Sequence, residues 1–267
     1  MTSGGSPLFA PKQYDEQSQF QVENLLREAR RQRKLPDQPV PRVCLLDPDG
    51  DVVRHLRQSH DAVLHAGWAC YHSELWVTAR PFGELGVVPC AVGAPYAVLV
   101  AEELHASGCD LLVSVTSAGQ ILELATPPYF VLITRAWRDE GTSLHYQPAS
   151  EWSELRADLA STIDGAFADL DEPVFTGQSW TTDAPLRETP SAIERARSNG
   201  VHAVEMEAAA LYAYATALGR DVVCIAHVTN TMAAFGDDFE KGVSDGTFRI
   251  LALVDALAQR WSHSAAS

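Results

Sequence analysis

The run AVEMEAAALYAYA, residues 203–215, places two carboxylates, Glu205 and Glu207, inside an apolar stretch without a lysine or arginine. Acidic side chains are rarely buried without a partner. Side chains alternate along an extended segment, so we expect Glu205 and Glu207 to share one face and Val204 and Met206 the other. A buried carboxylate needs hydrogen-bond donors, and the two vicinal hydroxyls of a ribose are suitable donors. The alternative is that Glu207 caps the start of a helix.

Two glycine-containing segments follow predicted strands. AVGAPYA (91–97) leads through Gly93 into a helix, and SVTSAGQI (114–121) carries Thr116 and Ser117. Backbone N–H groups at the start of a helix hold anions or polarised hydroxyls. We therefore interpret both segments as candidates for a phosphate or water pocket, with a plain tight turn as the alternative for each.

Two further side chains suit a heterocyclic base. HVTNTMA (227–233) places Asn230 just after the last predicted strand, and an amide both donates and accepts hydrogen bonds. TGQSWTTDAP (176–185) places Trp180 in a segment that we predict to be a polar loop. The indole ring is a candidate for stacking on a base. The alternatives are a turn-forming asparagine and a tryptophan that only packs.

Short apolar strands alternate with helices along the chain, which indicates a sheet covered by helices. Apolar spacing, proline and glycine positions define the elements. The predicted strands are 42–47, 75–80, 86–92, 109–115, 129–136, 203–207 and 221–228, and the predicted helices are 14–34, 52–59, 95–108, 151–170, 189–200, 208–219 and 246–261.

The composition narrows the function classes. A formal net charge of -15 over 267 residues disfavours nucleic-acid binding. We identify no apolar stretch that approaches the ~20 residues needed to span a bilayer, and no signal-peptide pattern. The five cysteines form no CxxC pair, as expected for buried thiols in a reducing compartment. We therefore expect a cytoplasmic protein without a membrane partner, metal or cofactor.

Three motifs in this order resemble the nucleoside phosphorylase and nucleosidase family: RDEGTSLHYQP (138–148), TTDAPLRETP (181–190) and AVEMEAAALYA (203–213). The likeness spans residues 42–261. It implies an α/β fold, a single domain with a central mixed, partly barrel-like sheet flanked by helices, and assembly as a homo-oligomer. We divide the chain into an N-terminal arm with one helix (1–40) and this domain (41–263).

The resemblance also implies roles at matched positions. Glu207 binds the ribose hydroxyls, with Met206 beside the sugar and Glu205 in support. Trp180 lies where relatives place an aromatic ring near the base. Asn230 stands where purine-cleaving relatives carry an aspartate that protonates the leaving base.

The chain departs from the family where relatives bind phosphate. Phosphorolytic members carry a GDPxR-like loop, but here LDPDG puts Leu46 at the glycine and Gly50 at the arginine. A second phosphate-binding arginine is replaced by Ser114. Water or phosphate must then be held by Gly93, Thr116 and Ser117, or by a side chain from GDDFEKG (236–242).

The sequence therefore predicts an enzyme that cleaves the N-glycosidic bond of a ribonucleoside with a uridine- or 6-oxopurine-type base. Its small-molecule partner is a nucleoside, and whether phosphate is a second one stays open, as does the choice between phosphorolysis and hydrolysis. The alternative is a nucleoside-binding protein of the same fold with little or no turnover.

Overall fold

The centre of the fold is a mixed β-sheet, part of which closes into a barrel. The computed structural model describes residues 6–232 and 239–265, and among these residues the sheet has ten strands. The strands are β1 (Val43–Asp47), β2 (Val63–Leu64), β3 (Trp76–Arg80), β4 (Gly83–Pro89), β5 (Leu111–Gln120), β6 (Tyr129–Asp139), β7 (Trp152–Glu154), β8 (Val174–Thr182), β9 (Ala203–Glu205) and β10 (Asp221–Asn230).

Five strands form the closed barrel. Strand β10 pairs in parallel with β5 and antiparallel with β6, β8 pairs in parallel with β6 and β9, and β9 returns antiparallel to β5. Strands β1, β4, β3 and β2 extend the sheet outward from β5, and β7 pairs with β6. Because β5 contacts β1, β9 and β10, it joins the barrel to the outer strands.

Helices cover the sheet and complete a single α/β domain, as the sequence predicts. Helix α3 packs on α6, and α7 on α2. One large apolar core lies between these helices and the strands. The helices are α1 (Val22–Arg33), α2 (Asp51–Gln58), α3 (Ala94–Ala106), α4 (Ala157–Thr162), α5 (Pro190–Ser198), α6 (Ala208–Leu218) and α7 (Thr247–Ala265).

The N-terminal helix begins later than predicted. The apolar stripe indicated a helix over 14–34, but α1 starts at Val22. Phe20 is 72% exposed, so an earlier turn has no core against which to pack. Leu26 and Ala29 are buried in a small cluster with Ala69. The division of the chain at residue 40 stays a prediction.

The predicted amphipathic helix over 151–170 is wrong for most of its length. Residues Trp152–Glu154 form β7, in which Trp152 stacks on Trp137 of β6. The helical part is only α4, and Gly165 follows it with a φ of 73°. The apolar residues of this stretch have the spacing of a helix. In the structure, a strand, a short helix and a turn bury them instead.

Strand ends also shift at three candidate site segments. Strand β4 ends at Pro89 rather than at residue 92, since proline lacks an N–H and Cys90 has a φ of 60°. Thr116 and Ser117, predicted in a loop, lie inside β5. Trp180, predicted in a polar loop, lies inside β8.

Within the described ranges, none of the helices combines the length and apolarity that crossing a membrane requires.

Candidate functional site

The Glu205 carboxylate is buried and fully hydrogen-bonded by the protein. One oxygen accepts the hydroxyls of Ser179, at 2.9 Å, and of Thr181. The other accepts the backbone N–H groups of Glu207 and Ala208, both at 2.7 Å. Glu205 therefore ties the start of α6 to β8, and these four donors offset the burial that raises its pKa.

Glu207 is equally buried but only half satisfied. Its Oε1 accepts the backbone N–H of Gly93 at 2.7 Å, while its Oε2 has no hydrogen-bond partner among the described residues. Burial, followed by the negative charge of Glu205, raises the pKa of Glu207. A buried carboxylate oxygen without a donor is costly, so this atom is suited to accept hydroxyl donors from a ligand.

The two glutamates do not lie on one extended segment as predicted. Strand β9 ends at Glu205, and Glu207 has φ -131° and ψ -39° at the position before α6. This turn lets Glu205 point to β8 and Glu207 to the start of α3. Met206 lies between them and is partly exposed.

Gly93 provides both a donor and open space. It precedes α3 with φ 88° and ψ 146°, a backbone conformation that L side chains rarely adopt. A Cβ atom at this position would meet no atom within 4 Å. The N–H of Gly93 thus contacts Glu207 while its α-carbon faces unfilled space among the described residues.

Thr116 and Ser117 are adjacent on β5 but face different partners. The Thr116 hydroxyl lies near Glu207 and helps to offset the rise in its pKa. The Ser117 hydroxyl donates to the carboxylate of Asp49, in the loop after β1. Asp49 also accepts from Lys241 Nζ at 2.9 Å. Lys241 is thus present at this edge, whereas residues 236–238 of the same predicted segment lie outside the described residues.

Asn230 is the last residue of β10 and is turned toward the protein. Its Oδ1 accepts the N–H of Met232 at 2.9 Å, and its Nδ2 makes long contacts of 3.3 Å to Thr229 and 3.5 Å to the Ala118 carbonyl. Asn230 is 8% exposed. It pairs with Gly119, three residues beyond Thr116 on β5, which is about 10 Å along a strand.

Trp180 is 3% exposed and lies within a second apolar cluster. Its indole N–H donates to Asp139 at 3.0 Å. The cluster includes Val204 and, at its edge, Met232, the residue bonded to Asn230. Trp180 therefore lies behind the Asn230 end of the site, with little ring surface exposed to stack on a base.

Glu188 is a candidate that the sequence patterns missed. It is half-buried, forms no side-chain hydrogen bond among the described residues, and loss of hydration raises its pKa to about 6. It lies just before α5, whose Ile193 packs against the cluster of Trp180 and Met232. An unpaired carboxylate here suits the N–H donors of a base. A lone glutamate in a polar segment carries no sequence signal for this role.

The structure thus brings Glu205, Met206, Glu207, Gly93 and Thr116 together at one end of the barrel. Ser117 borders this group, and Asn230 of β10 lies opposite Gly119, which is farther along β5. The arrangement has a buried acceptor, Glu207, at one end and the amide of Asn230 toward the other. It suits an uncharged ligand with neighbouring hydroxyls and a heterocyclic ring.

Comparisons with known proteins identify the family and the fold of this chain. A family model described as the phosphorylase superfamily matches residues 42–258. A guanosine phosphorylase from Halorubrum lacusprofundi is 26% identical over 151 residues. That match covers 57% of this chain and 63% of the relative's length.

Two solved structures share the fold. A purine nucleoside phosphorylase from Toxoplasma gondii, in complex with immucillin-H, superposes with a TM-score of 0.73 at 15% identity over 94% of this chain and all of that one. A uridine phosphorylase from Vibrio fischeri, in complex with 6-hydroxy-1-naphthoic acid, superposes with a TM-score of 0.64 at 18% identity. The superposition covers 85% of this chain and 90% of that chain.

Proposed function

Because the chain belongs to the phosphorylase superfamily, we propose that it cleaves the N-glycosidic bond of a ribonucleoside with a uracil- or 6-oxopurine-type base. The nucleoside phosphorylases with which it shares its fold and partial sequence support this reaction class. The homo-oligomer and the cytoplasmic location remain predictions.

The half-satisfied carboxylate of Glu207 carries the proposal. Its Oε2 is buried without a donor among the described residues, next to the open space at Gly93. The 2′ and 3′ hydroxyls of a ribose are two adjacent donors that would satisfy this carboxylate. Their binding would favour the ionised form of Glu207, since hydrogen bonds to a carboxylate stabilise its charge.

The same carboxylate suits the reaction. As the C1′–N bond breaks, its electron pair leaves with the base, and positive charge develops on the ribose. A preorganised negative group beside the sugar stabilises this charge. The Gly93 N–H and the bonds that fix Glu205 hold Glu207 in place before the substrate arrives. Glu205 acts here as a positioning residue.

At the other end, Asn230 and Glu188 would contact the base while Trp180 packs behind them. The Nδ2 of Asn230 can donate to a ring carbonyl once its long contacts to Thr229 and Ala118 are exchanged. Neither uracil nor a 6-oxopurine requires a charged donor at that position. This supports a base that leaves through hydrogen bonding rather than through full protonation by an aspartic acid.

Phosphate dependence is expected to be weak or absent. In hydrolysis the oxygen of water bonds C1′, one water proton ends on the departing base nitrogen, and ribose is released. In phosphorolysis an oxygen of hydrogen phosphate bonds C1′ instead, the phosphate proton ends on the departing base nitrogen, and ribose 1-phosphate forms. Lys241, the cation near Ser117, is held by Asp49 and Asp51 rather than free for phosphate. Half-saturation by phosphate is therefore expected at about millimolar levels or above, or not at all.

A base-release assay over a nucleoside panel, with and without phosphate, tests the proposal. Release of uracil or hypoxanthine from the ribonucleoside, and slower release from the 2′-deoxyribonucleoside, is expected because Glu207 then loses one donor. Absence of base release from every ribonucleoside would refute the enzymatic function.

One observation favours a second candidate, a nucleoside-binding protein with little turnover. The amide of Asn230 cannot transfer a proton to a departing base, and its oxygen already accepts the Met232 N–H. Tight nucleoside binding by calorimetry without base release would support this candidate over the first.

A further inference from the structure

Lys241 is neutralised by two carboxylates at the edge of the candidate site. Its Nζ donates to Asp49 at 2.9 Å and to Asp51 at 2.6 Å. The Asp51 side chain is only 7% exposed and that of Lys241 only 27%, so water screens the pair weakly. Two carboxylates on one ammonium leave no positive charge for an external anion.

The second cation at this edge is also paired. Arg54 donates to Asp51 and, at 3.2 Å, to Asp245. Asp47 is buried beside them, and its pKa rises to about 7, mainly through burial and partly through the charges of Asp49 and Asp51. Three carboxylates, those of Asp49, Asp51 and Asp245, thus contact the two cations.

The nearby histidine adds no positive charge. His227 is buried on β10 opposite Ser117, and burial lowers its pKa to about 4, so it is neutral at pH 7. The edge is therefore neutral to negative near pH 7. This edge therefore does not attract a dianion such as phosphate, as a cationic pocket would.

This paired cluster borders the Glu207 end of the site. Asp49 accepts the Ser117 hydroxyl, and the preceding residue, Thr116, faces Glu207. The cluster is therefore linked through two adjacent residues of β5 to the carboxylate that we assign to the ribose. Any charged co-substrate that reaches the sugar from this side must approach Lys241 and its two counter-ions.

We propose that Asp49 and Asp51 are specificity-determining residues that prevent phosphate from binding, by acting as built-in counter-ions for Lys241 and Arg54. The part of this inference that concerns the nucleophile rests on the proposed function. With the carboxylates in place, water is the nucleophile. Without them, Lys241 is free to bind phosphate, Arg54 keeps only Asp245 as a partner, and ribose 1-phosphate replaces ribose among the products.

The test is the Asp49→Asn/Asp51→Asn double variant, assayed for binding of inorganic phosphate in the absence of nucleoside. Calorimetric titration is expected to show phosphate affinity at least 10-fold higher than in the wild type. The matched control is Asp110→Asn/Asp158→Asn, which changes the net charge equally but removes the partner of Arg42 and one of the two partners of Arg156, both away from this edge. The control is expected to match the wild type.

A third variant tests the assigned cation. Adding Lys241→Met to the double variant is expected to abolish most of the gained phosphate affinity, because the ammonium is then absent. If the double variant does not fold, the single Asp49→Asn variant takes its place, since the Asp49 side chain is 29% exposed and its removal is better tolerated. A single substitution is expected to raise the affinity less than the double one.

Equal phosphate affinity in the wild type, the control and the folded charge-removal variants would overturn the inference. The readout is independent of turnover. A protein that releases base but never gains phosphate affinity disproves the counter-ion role and leaves the proposed function intact. A double variant that binds phosphate without releasing base from any nucleoside supports the counter-ion role and refutes the function.

Discussion

The carboxylate of Glu207 accepts a hydrogen bond of 2.7 Å from the backbone N–H of Gly93, a residue 114 positions earlier in the chain. This contact joins the start of α3 to the start of α6. It satisfies one carboxylate oxygen and fixes its orientation. The other oxygen is left without a donor among the described residues, and the ligand-binding hypothesis rests on that difference.

Glu207→Gln is expected to fold normally and to lose about 10²-fold or more in kcat/KM for the best ribonucleoside. The amide cannot accept both diol hydrogens, and it removes the negative charge that stabilises a cationic ribose. One preorganised electrostatic group is worth about this factor. Steady-state kinetics of base release, with circular dichroism as a folding check, provides the measurement.

Glu205→Gln is the matched comparison, because the same chemical change falls on a carboxylate that four protein donors already satisfy. Here we expect lower stability, with the melting temperature reduced by about 4–8 °C for a loss of about 2 kcal/mol. Wild-type activity of Glu207→Gln, or a larger kcat/KM loss in Glu205→Gln, would contradict the assignment.

Gly93→Ala is expected to reduce both stability and activity. Its φ of 88° is strained for any side chain, although a Cβ would have room, so the cost of about 1–3 kcal/mol comes from the backbone. Relaxation of this strain would move the N–H away from Glu207. Gly83→Ala is the control, because Gly83 also has a positive φ, of 128°, and open space for a Cβ, but it is the first residue of β4 and does not contact Glu207.

Thermal unfolding and nucleoside cleavage are measured for both glycine variants. We expect similar destabilisation in each, with a loss of activity only in Gly93→Ala. Full activity of Gly93→Ala at a temperature where it is folded would show that the contact to Glu207 is dispensable.

The acidic motif could be predicted from the sequence because its signal is local. Two carboxylates in an apolar run require partners wherever they fold. What could not be predicted is which carboxylate is satisfied by the protein. That depends on Ser179 and Thr181 of β8, and on Gly93, all distant in sequence and brought close only by closure of the barrel.

Thr116 and Trp180 show why the strand ends were misplaced. Small and polar residues such as those around Thr116 are typical of turns, yet β5 continues to Gln120 because it pairs with β9 and β10. In β8, polar residues such as Thr181 face inward to satisfy Glu205. Tertiary pairing therefore overrode the local propensity at both sites.

The paired cations could not be predicted for a similar reason. Lys241 lies about 190 residues from its partners Asp49 and Asp51. The sequence does show that Gly50 stands where phosphorolytic relatives carry an arginine, and this indicates that the loop after β1 differs from theirs. The ion pairs that occupy the edge depend on the fold.

The titration of Asp47 is expected to lower the free energy of unfolding as the pH rises. The folded-state pKa of about 7 lies above the ordinary value near 3.9, so the folded protein binds the proton more tightly than the unfolded chain. The resulting stabilisation is complete below pH 4 and is lost as the pH rises through 7. Linkage gives a loss of about 2–3 kcal/mol between pH 5 and pH 8.

Asp47→Asn removes this titration while the amide oxygen can still accept the Val53 N–H. Urea unfolding of both proteins at pH 5 and pH 8 measures the difference. From pH 5 to pH 8, the free energy of unfolding of the wild type is expected to fall by about 2–3 kcal/mol relative to that of the variant. A gap that is independent of pH would show that Asp47 has an ordinary pKa in the folded protein.

The base preference is expected to exclude adenine-type nucleosides. The amide of Asn230 cannot transfer a proton to a departing base, and its oxygen already accepts from Met232. Uracil and 6-oxopurines can leave with hydrogen bonds alone, whereas adenine benefits from protonation. Adenosine and methylthioadenosine should therefore be cleaved more slowly than inosine and uridine, as measured by kcat/KM over the panel.

Asn230→Asp supplies the missing acid and is expected to raise the ratio of adenosine to inosine cleavage by about 10²-fold, the lower end of what general acid catalysis contributes. Asn199→Asp is the control, because it makes the same change at the exposed end of α5. The increase should be largest below neutral pH, where the new carboxyl group is protonated more often. Faster cleavage of adenosine than of inosine and uridine by the wild type, or an unchanged ratio in Asn230→Asp, would show that Asn230 does not determine how the base leaves.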